Sequence, residues 1–199
     1  MKAALPIGVI VVSFLAYAVE PGLSYGIELQ PETQQIQAAL ERGKAAASAR
    51  TPPDQLYARF GSSKDLEPKG FLLTKMVGLA VMSTHFALRG AIPSESEVQQ
   101  ILDEATLLVS VTIFGDRLDF ARDCYMLLVQ GTRTIKPVKV RFDGQAARTS
   151  VWPNAPAYRA KIVASFHYAD LAPRAAAKLS VFPSGGGEVS FDLDFSQID

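Results

Sequence analysis

Tyr158 to Tyr168 reads YRAKIVASFHY, and the fold turns on how this stretch is read. Tyr158, Ala160, Ile162, Ala164, Phe166 and Tyr168 occupy one parity, and Arg159, Lys161, Val163, Ser165 and His167 the other. A period of two over eleven residues is a β-strand with one buried face, because successive side chains of a strand point to opposite sides.

The same pattern extends in both directions. Downstream, Leu179–Pro183 and Glu188–Phe195 are separated by Ser184-Gly185-Gly186-Gly187, a hairpin connection. Val189, Phe191, Leu193 and Phe195 take the inward parity there; Glu188, Ser190, Asp192 and Asp194 face out. Upstream, Leu107–Phe114 puts Val109, Val111 and Ile113 on one face before Gly115-Asp116 turns the chain. Asp123–Gln130 (DCYMLLVQ) reads as a strand buried on both sides, and Gly131-Thr132 as a turn. Arg133–Phe142 (RTIKPVKVRF) reads as one strand, with Val138, Val140 and Phe142 pointing one way and Lys139 and Arg141 the other, ended by Asp143-Gly144. With a short strand near Arg148–Val151, about seven strands fall within roughly 90 residues, which is the spacing of an antiparallel β-sandwich of immunoglobulin-like type. A barrel, or a single sheet packed on helices, fits the same strand count. The likeness is one of pattern and carries no function.

Ahead of residue 105 the period changes. Residues 30–49 favour a helix, with Pro31 at a first helical position, Glu32 at the positive end, and a thin apolar stripe of Ile36, Ala39, Leu40 and Ala47 that suits loose packing or a stalk. Thr51-Pro52-Pro53 ends it and opens a short helical turn carrying Leu56, Tyr57 and Phe60, followed by a polar loop from Gly61 to Gly70. Phe71–Leu88 (FLLTKMVGLAVMSTHFAL) reads first as a buried helix, with a strand pair as the alternative; Lys75, Ser83, Thr84 and His85 argue against a membrane span. Ser94-Glu95-Ser96-Glu97 fits a capping box, opening a helix that ends near Glu104. The expected fold is therefore α+β: a helical region over 27–104 packed with an antiparallel β domain over 105–199.

Residues 1–26 form the third segment. Lys2 is followed by sixteen uncharged residues from Ala3 to Ala18, then by Pro21-Gly22 and the small residues Ser24 and Gly26. A positive start, an apolar core and a turn-rich end make up a bacterial-type secretion signal, with cleavage expected after Gly26 or, alternatively, after Ala18. A retained anchor is the competing reading, though the apolar run is shorter than the ~20 residues of a spanning helix.

Composition narrows the function classes. Hydrophobic residues make up 48% and charged residues 20%, which suits a packed globular body. Twenty basic and twenty acidic residues cancel, so nothing global points to nucleic acid. Cys124 is the single cysteine, which excludes an internal disulfide, and none lies near the end of the apolar segment for lipid attachment. One cysteine and two histidines are too few to suggest a zinc site, and no cofactor motif is present.

Four features remain as candidate chemistry. Cys124 with His85 or His167 is the candidate nucleophile–base pairing, but Cys124 sits in an apolar strand where a thiol is usually core. Asp192-x-Asp194 places two carboxylates on one strand face about 7 Å apart, able to hold a cation with Glu188 or to act as acid and base, but equally suited to edge protection. Between Arg133 and Lys161 there are seven basic residues (Arg133, Lys136, Lys139, Arg141, Arg148, Arg159 and Lys161) and one acid, Asp143. Cross-strand pairing with Glu188–Asp194 is the plain reading of that stripe; an anionic partner is the functional one. Trp152, the single tryptophan, stands in the stiff loop Val151–Pro156, suited to anchor a partner or to pack inside. The expectation is an exported, periplasmic, cell-surface or secreted binding module without enzymatic activity or cofactor. Lys139, Arg141, Trp152, Arg159, Lys161 and His167 would face an envelope protein or an anionic surface polymer, with membrane contact only if residues 1–26 are retained. The alternative is a hydrolase with an acidic or histidine-containing site.

Overall fold

The computed structural model describes residues 27–198, so the leader falls outside the described residues. Three α-helices and ten strands follow in the order α1 (Thr33–Ser48), β1 (Ala58–Gly61), β2 (Lys69–Leu73), α2 (Lys75–Ala87), α3 (Glu95–Leu102), β3 (Thr106–Gly115), β4 (Tyr125–Gln130), β5 (Arg133–Ile135), β6 (Lys139–Phe142), β7 (Ala147–Arg148), β8 (Tyr158–His167), β9 (Ala176–Phe182) and β10 (Val189–Asp194). All strand pairing is antiparallel, and few helices with antiparallel sheets make an α+β fold. The six-stranded sheet runs β1-β2-β3-β8-β6, with β7 also on β8; the four-stranded sheet runs β10-β9-β4-β5.

The alternation read in residues 158–168 is the axis of the molecule. β8 pairs along its whole length with β3, Ile162 opposite Val111 and Ala164 opposite Val109, and all four are buried. Phe166, Leu107 and Ile113 from this sheet share one core with Met126, Leu128, Leu179 and Val181 from the other and with Phe195 just past β10. Phe166 and Phe195 are the largest side chains with no exposure, each removing about 1.5–3 kcal/mol worth of apolar surface from water. Phe60 of β1 meets Phe191 of β10 edge-on at 5.0 Å, which closes the core along one side.

Several expectations need correction. Arg133–Phe142 is not one strand. Residues 133–135 pair with β4 in the four-stranded sheet, and residues 139–142 pair with β8 in the six-stranded one. The chain changes sheets at Lys136-Pro137-Val138, where proline removes a backbone donor and a continuous ladder cannot form. Val140 and Phe142 share the core-facing side with Ala164 and Ile162, but on this edge strand Val138 and Phe142 are exposed and Val140 is half-buried. β4 buries one face, not two: Met126, Leu128 and Gln130 face the core, whereas Tyr125 is exposed and Leu127 and Val129 are half-buried.

The region 27–104 is not wholly helical either. Ala58–Gly61 and Lys69–Leu73 form a hairpin, and β2 continues onto β3 with Leu72 opposite Val109. Phe71–Leu73 is thus strand, and α2 starts only after Thr74, whose hydroxyl accepts from the Val77 N–H at 3.1 Å. Ile27, fully buried, donates its N–H to the Pro173 carbonyl and joins the sheet core.

The α1–α2 contact is close rather than loose. Ala39, Gly43 and Ala46 are buried, and a Cβ on Gly43 would collide with the Ala80 carbonyl and the Ser83 side chain. The Ser83 hydroxyl donates to Leu40 O at 2.7 Å and the Thr84 hydroxyl to Gly43 O at 3.0 Å, so the two backbones are joined directly. α3 has the capping box read from the sequence: Glu97 accepts from the Ser94 N–H at 2.7 Å, and the Ser94 hydroxyl accepts from the Glu97 N–H at 3.3 Å. Lys75, half-buried, ties the helices to the sheets. Its ammonium donates to Leu29 O and to Leu102 O at the end of α3, and lies 5.3 Å from the Tyr168 ring centre. Burial pushes the Tyr168 hydroxyl well above its ordinary range.

Candidate interaction surface

Register and burial divide the six-stranded sheet into two faces. Because Leu107, Val109, Val111 and Ile113 are buried, Thr106, Leu108, Ser110, Thr112 and Phe114 point away from the core. Directly paired residues share a face. Lys161 (opposite Thr112), Arg159 (opposite Phe114) and His167 (opposite Thr106) therefore lie on this outer face. Lys139 and Arg141 join them from β6, opposite Ser165 and Val163. Neighbouring strands lie about 4.8 Å apart and alternate residues about 7 Å apart, so these side chains form one strip. All five are exposed.

None of the seven basic residues from Arg133 to Lys161 makes an ion pair with another described residue. Elsewhere in the described chain seven of twelve cations are matched, Lys44 with Glu41, Arg59 with Asp54, Lys64 with Glu67, Lys69 with Asp65, Arg117 with Asp119, Arg174 with Glu28 and Lys178 with Glu188, while Arg42, Arg50, Lys75, Arg89 and Arg122 are not. The cross-strand cancellation by Glu188–Asp194 does not form, because those acids stand on β10 and its turn in the other sheet. There Asp192 lies opposite Lys178, and Glu188 accepts from the Ser180 hydroxyl at 2.7 Å. That hydrogen bond, with Lys178 3.0 Å away, lowers the Glu188 carboxyl below its ordinary range.

Trp152 is 43% exposed, which sets aside the packed-inside reading. Its ring lies under the Arg148 guanidinium at 4.0 Å. The loop is held by its own hydrogen bonds: the Thr149 hydroxyl donates to Pro156 O at 2.6 Å, and the Ala157 N–H donates to Asp116 Oδ1 at 3.2 Å. An anchor whose backbone is already ordered loses little entropy on binding. Trp152 follows β7 at the Arg159 end of β8, so it belongs to one end of the surface rather than to the middle of the strip.

The candidate catalytic groups are not brought together. Cys124 is buried beside the four-stranded sheet, 4.0 Å from Phe120 O, and burial pushes its thiol up, away from the thiolate that a nucleophile needs. His85 is exposed on α2, and His167 is exposed at the end of β8. Asp194 accepts from the Ser196 N–H at 2.9 Å and so serves as a local cap. Among the described residues no group of three His, Cys, Asp or Glu is placed to hold a metal ion.

One element of this face had no counterpart in the sequence reading. α2 and α3 overhang β2 and β3 and leave a groove of about 630 Å³ between helix and sheet. Its signal was the unexplained apolar residues at outward parity, Leu73 and Leu108, both half-buried.

No family model matches the chain, and no curated protein matches it. Among solved structures, the archaellum periplasmic stator protein FlaG from Sulfolobus acidocaldarius is similar over 45% of this chain and 86% of that one, with TM-score 0.32 and 9% identity. The archaellum periplasmic stator protein complex of FlaF and FlaG from the same organism is similar over 45% of this chain and 77% of that one, with TM-score 0.28 and 10% identity.

Proposed function

We propose that this chain is an exported, non-enzymatic binding module of the cell envelope or secreted fraction, and that its basic sheet face takes an anionic surface polymer. The observation carrying the proposal is the distribution of ion pairs. Seven of the twelve described cations outside residues 133–161 are paired with acids, whereas Lys139, Arg141, Arg159 and Lys161 share a face and none makes an ion pair with a described residue, the one acid nearby, Asp143, accepting from the Lys161 backbone N–H at 2.8 Å. Exposed cations at this spacing repel one another and are relieved by a partner carrying regularly placed negative charge. The address rests on the leader in residues 1–26; among the described residues no helix is long and apolar enough to cross a membrane.

The immunoglobulin-like reading of the body belongs to the same proposal. It draws support from the seven strands of three or more residues that follow residue 105, divided between two sheets over one core. A second reading, an acidic envelope protein as partner, is favoured by Trp152, since exposed tryptophan beside arginine is the usual anchor of a protein interface.

Calorimetric titration of the mature protein with a polyuronate tests the main reading. The double variant Arg141→Ala/Arg159→Ala is expected to bind at least tenfold more weakly with an unchanged melting temperature. Equal affinity of the two proteins would remove this face as the working surface. Mass measurement of the N-terminus on exported protein tests the address, an intact leader arguing for an anchor.

A further inference from the structure

The two sheets are closed along one side and left open along the other. On the closed side β1 and β10 come together, with Phe60 edge-on to Phe191. On the open side the chain crosses from β5 to β6 through Lys136-Pro137-Val138, and β6 pairs with β8 alone. Arg141 stands opposite Val163, and the Asp143 N–H donates to Lys161 O at 3.2 Å. Backbone groups of an antiparallel strand alternate sides. Val140 and Phe142 therefore send their N–H and C=O groups away from β8, where no described strand takes them.

The side chains along this edge alternate as well. Val140 and Phe142 lie on the core-facing side, with Phe142 37% and nearby Val138 54% exposed. Lys139 and Arg141 lie on the outer face, and neither makes an ion pair with a described residue. Sheet edges are commonly protected by cover or by a charge turned inward. β1 and β10 cover each other, and β5 keeps its one apolar residue, Ile135, buried. The β6 edge has neither device, since its inner side is apolar and uncovered.

Its charges say what fits. A second copy of the same edge would set cations opposite cations, which is unfavourable for directly paired residues. A strand with acids at one parity and apolar residues at the other meets both rows. Within this chain Val189–Asp194 has a similar alternation, but it is already paired with β9.

We infer that the β6 edge takes up an extended segment of a partner protein in which acidic and apolar residues alternate, adding a strand to the six-stranded sheet. The acids of the segment stand cross-strand from Lys139 and Arg141, its apolar residues cover Val140 and Phe142, and its amides pair with theirs. The site shares two cations with the polymer face, but it rests on edge amides that a polyuronate has no peptide groups to engage.

The probe is the end-capped peptide Glu-Val-Glu-Val-Glu-Val-Glu, titrated calorimetrically into the mature protein. Its binding should slow amide exchange at Val140 and Phe142 by about tenfold or more and leave Arg141, already turned to β8, unchanged. The grouped peptide Glu-Glu-Val-Val-Val-Glu-Glu should bind about tenfold more weakly or worse, and so should the alternating peptide N-methylated at its central valine, whose amide faces β6. N-methylation of a neighbouring glutamate, whose amide faces away, should change affinity by no more than about twofold. Lys139→Glu/Arg141→Glu should switch the preference to Lys-Val-Lys-Val-Lys-Val-Lys. Phe142→Pro removes an outward donor that β8 does not use, and should weaken peptide binding about tenfold while polyuronate binding stays within about twofold. Should Phe142→Pro unfold the sheet, the two N-methylated peptides on the wild-type protein carry the test. Arg159→Glu should weaken polyuronate binding and spare the peptide, so the two readings fail separately. Absence of peptide binding, equal binding of the grouped peptide, or equal effects of the two N-methylations would overturn the inference. So would a dimer in sedimentation whose Val140 and Phe142 amides are protected without peptide, which would give the edge to a second copy.

Discussion

The two sheets present the same kind of inner face and opposite kinds of outer face. Inside, Phe166 and Ile162 of one meet Leu179 of the other and Phe195 just past its β10 in a single core. Outside, the β9–β10 half of the four-stranded sheet neutralises itself: Lys178 stands opposite Asp192 and 3.0 Å from Glu188, which Ser180 also holds. The outer face of the six-stranded sheet does not. Its β6–β8 half carries cations without partners, and its β2–β3 half is roofed by helices that leave a groove. Alternation dictates only that one side be apolar; what stands on the other is free to be spent on solubility or on recognition. The difference teaches that charge content says little until the pairing is known.

The largest effect tests the shared interior. Phe166→Ala and Leu179→Ala are each expected to lower unfolding stability by about 2–5 kcal/mol, because both leave cavities in one core. Denaturant unfolding followed by fluorescence and by circular dichroism should give one coincident transition. Two separated transitions would mean that the sheets are independent layers and that the comparison of faces concerns two bodies.

Next comes the helical roof. Gly43→Ala gains about 1 kcal/mol of helix propensity but drives a methyl into the Ala80 carbonyl and Ser83, an overpacking cost of about 1–3 kcal/mol. The clash is with backbone and cannot swing aside, so a net loss is expected in thermal unfolding, with polyuronate binding retained. Stabilisation by this change would show that the α1–α2 contact is loose after all.

Smaller effects sharpen the contrast between paired and unpaired cations. Lys178→Ala removes an exposed pair and should lower stability slightly, whereas Arg141→Ala should change stability by no more than about 0.5 kcal/mol in either direction. Arg141→Ala proving the more destabilising would reveal a hidden partner. The smallest effect is the acid response of α3. Hydrogen bonds from Ser94, its backbone N–H first, hold the Glu97 carboxyl below its ordinary range. A depressed folded value means that this contribution is present above the ordinary carboxylate range and is lost as the pH falls through the depressed value. Amide shifts of residues 95–102 should therefore fray at acid pH before those of β8, and Ser94→Ala, at about 1 kcal/mol, should reproduce part of the fraying at neutral pH.

Legibility followed from how many physical constraints each segment obeyed. β3, β8 and β10 were readable because burial of one face imposes strict alternation, and α3 because Ser94 and Glu97 have the spacing a capping box demands. The β1–β2 hairpin was missed because ARFG and KGFLL are too short to show a period, and the polar stretch between them masked the pairing. The sheet change at Pro137 had a signal, since proline inside a strand argues against a continuous ladder, but the regular Val138–Phe142 alternation outweighed it. The cations were visible in sequence; their lack of partners was not, because pairing depends on which sheet each strand joins. The groove depends on residues of β2, α2, α3 and β3 meeting in space, and no spacing encodes that.

The most direct test of the central claim is the salt dependence of polyuronate affinity. If the unpaired cations are the binding surface, the slope of log affinity against log salt should shrink with each of Lys139→Ala, Arg141→Ala, Arg159→Ala and Lys161→Ala, by roughly one released counterion apiece. It should stay at the wild-type value for Arg59→Ala and Lys178→Ala, whose charges are already matched. Equal losses of slope from both groups would contradict the account, because the polymer would then be sensing total charge rather than this face.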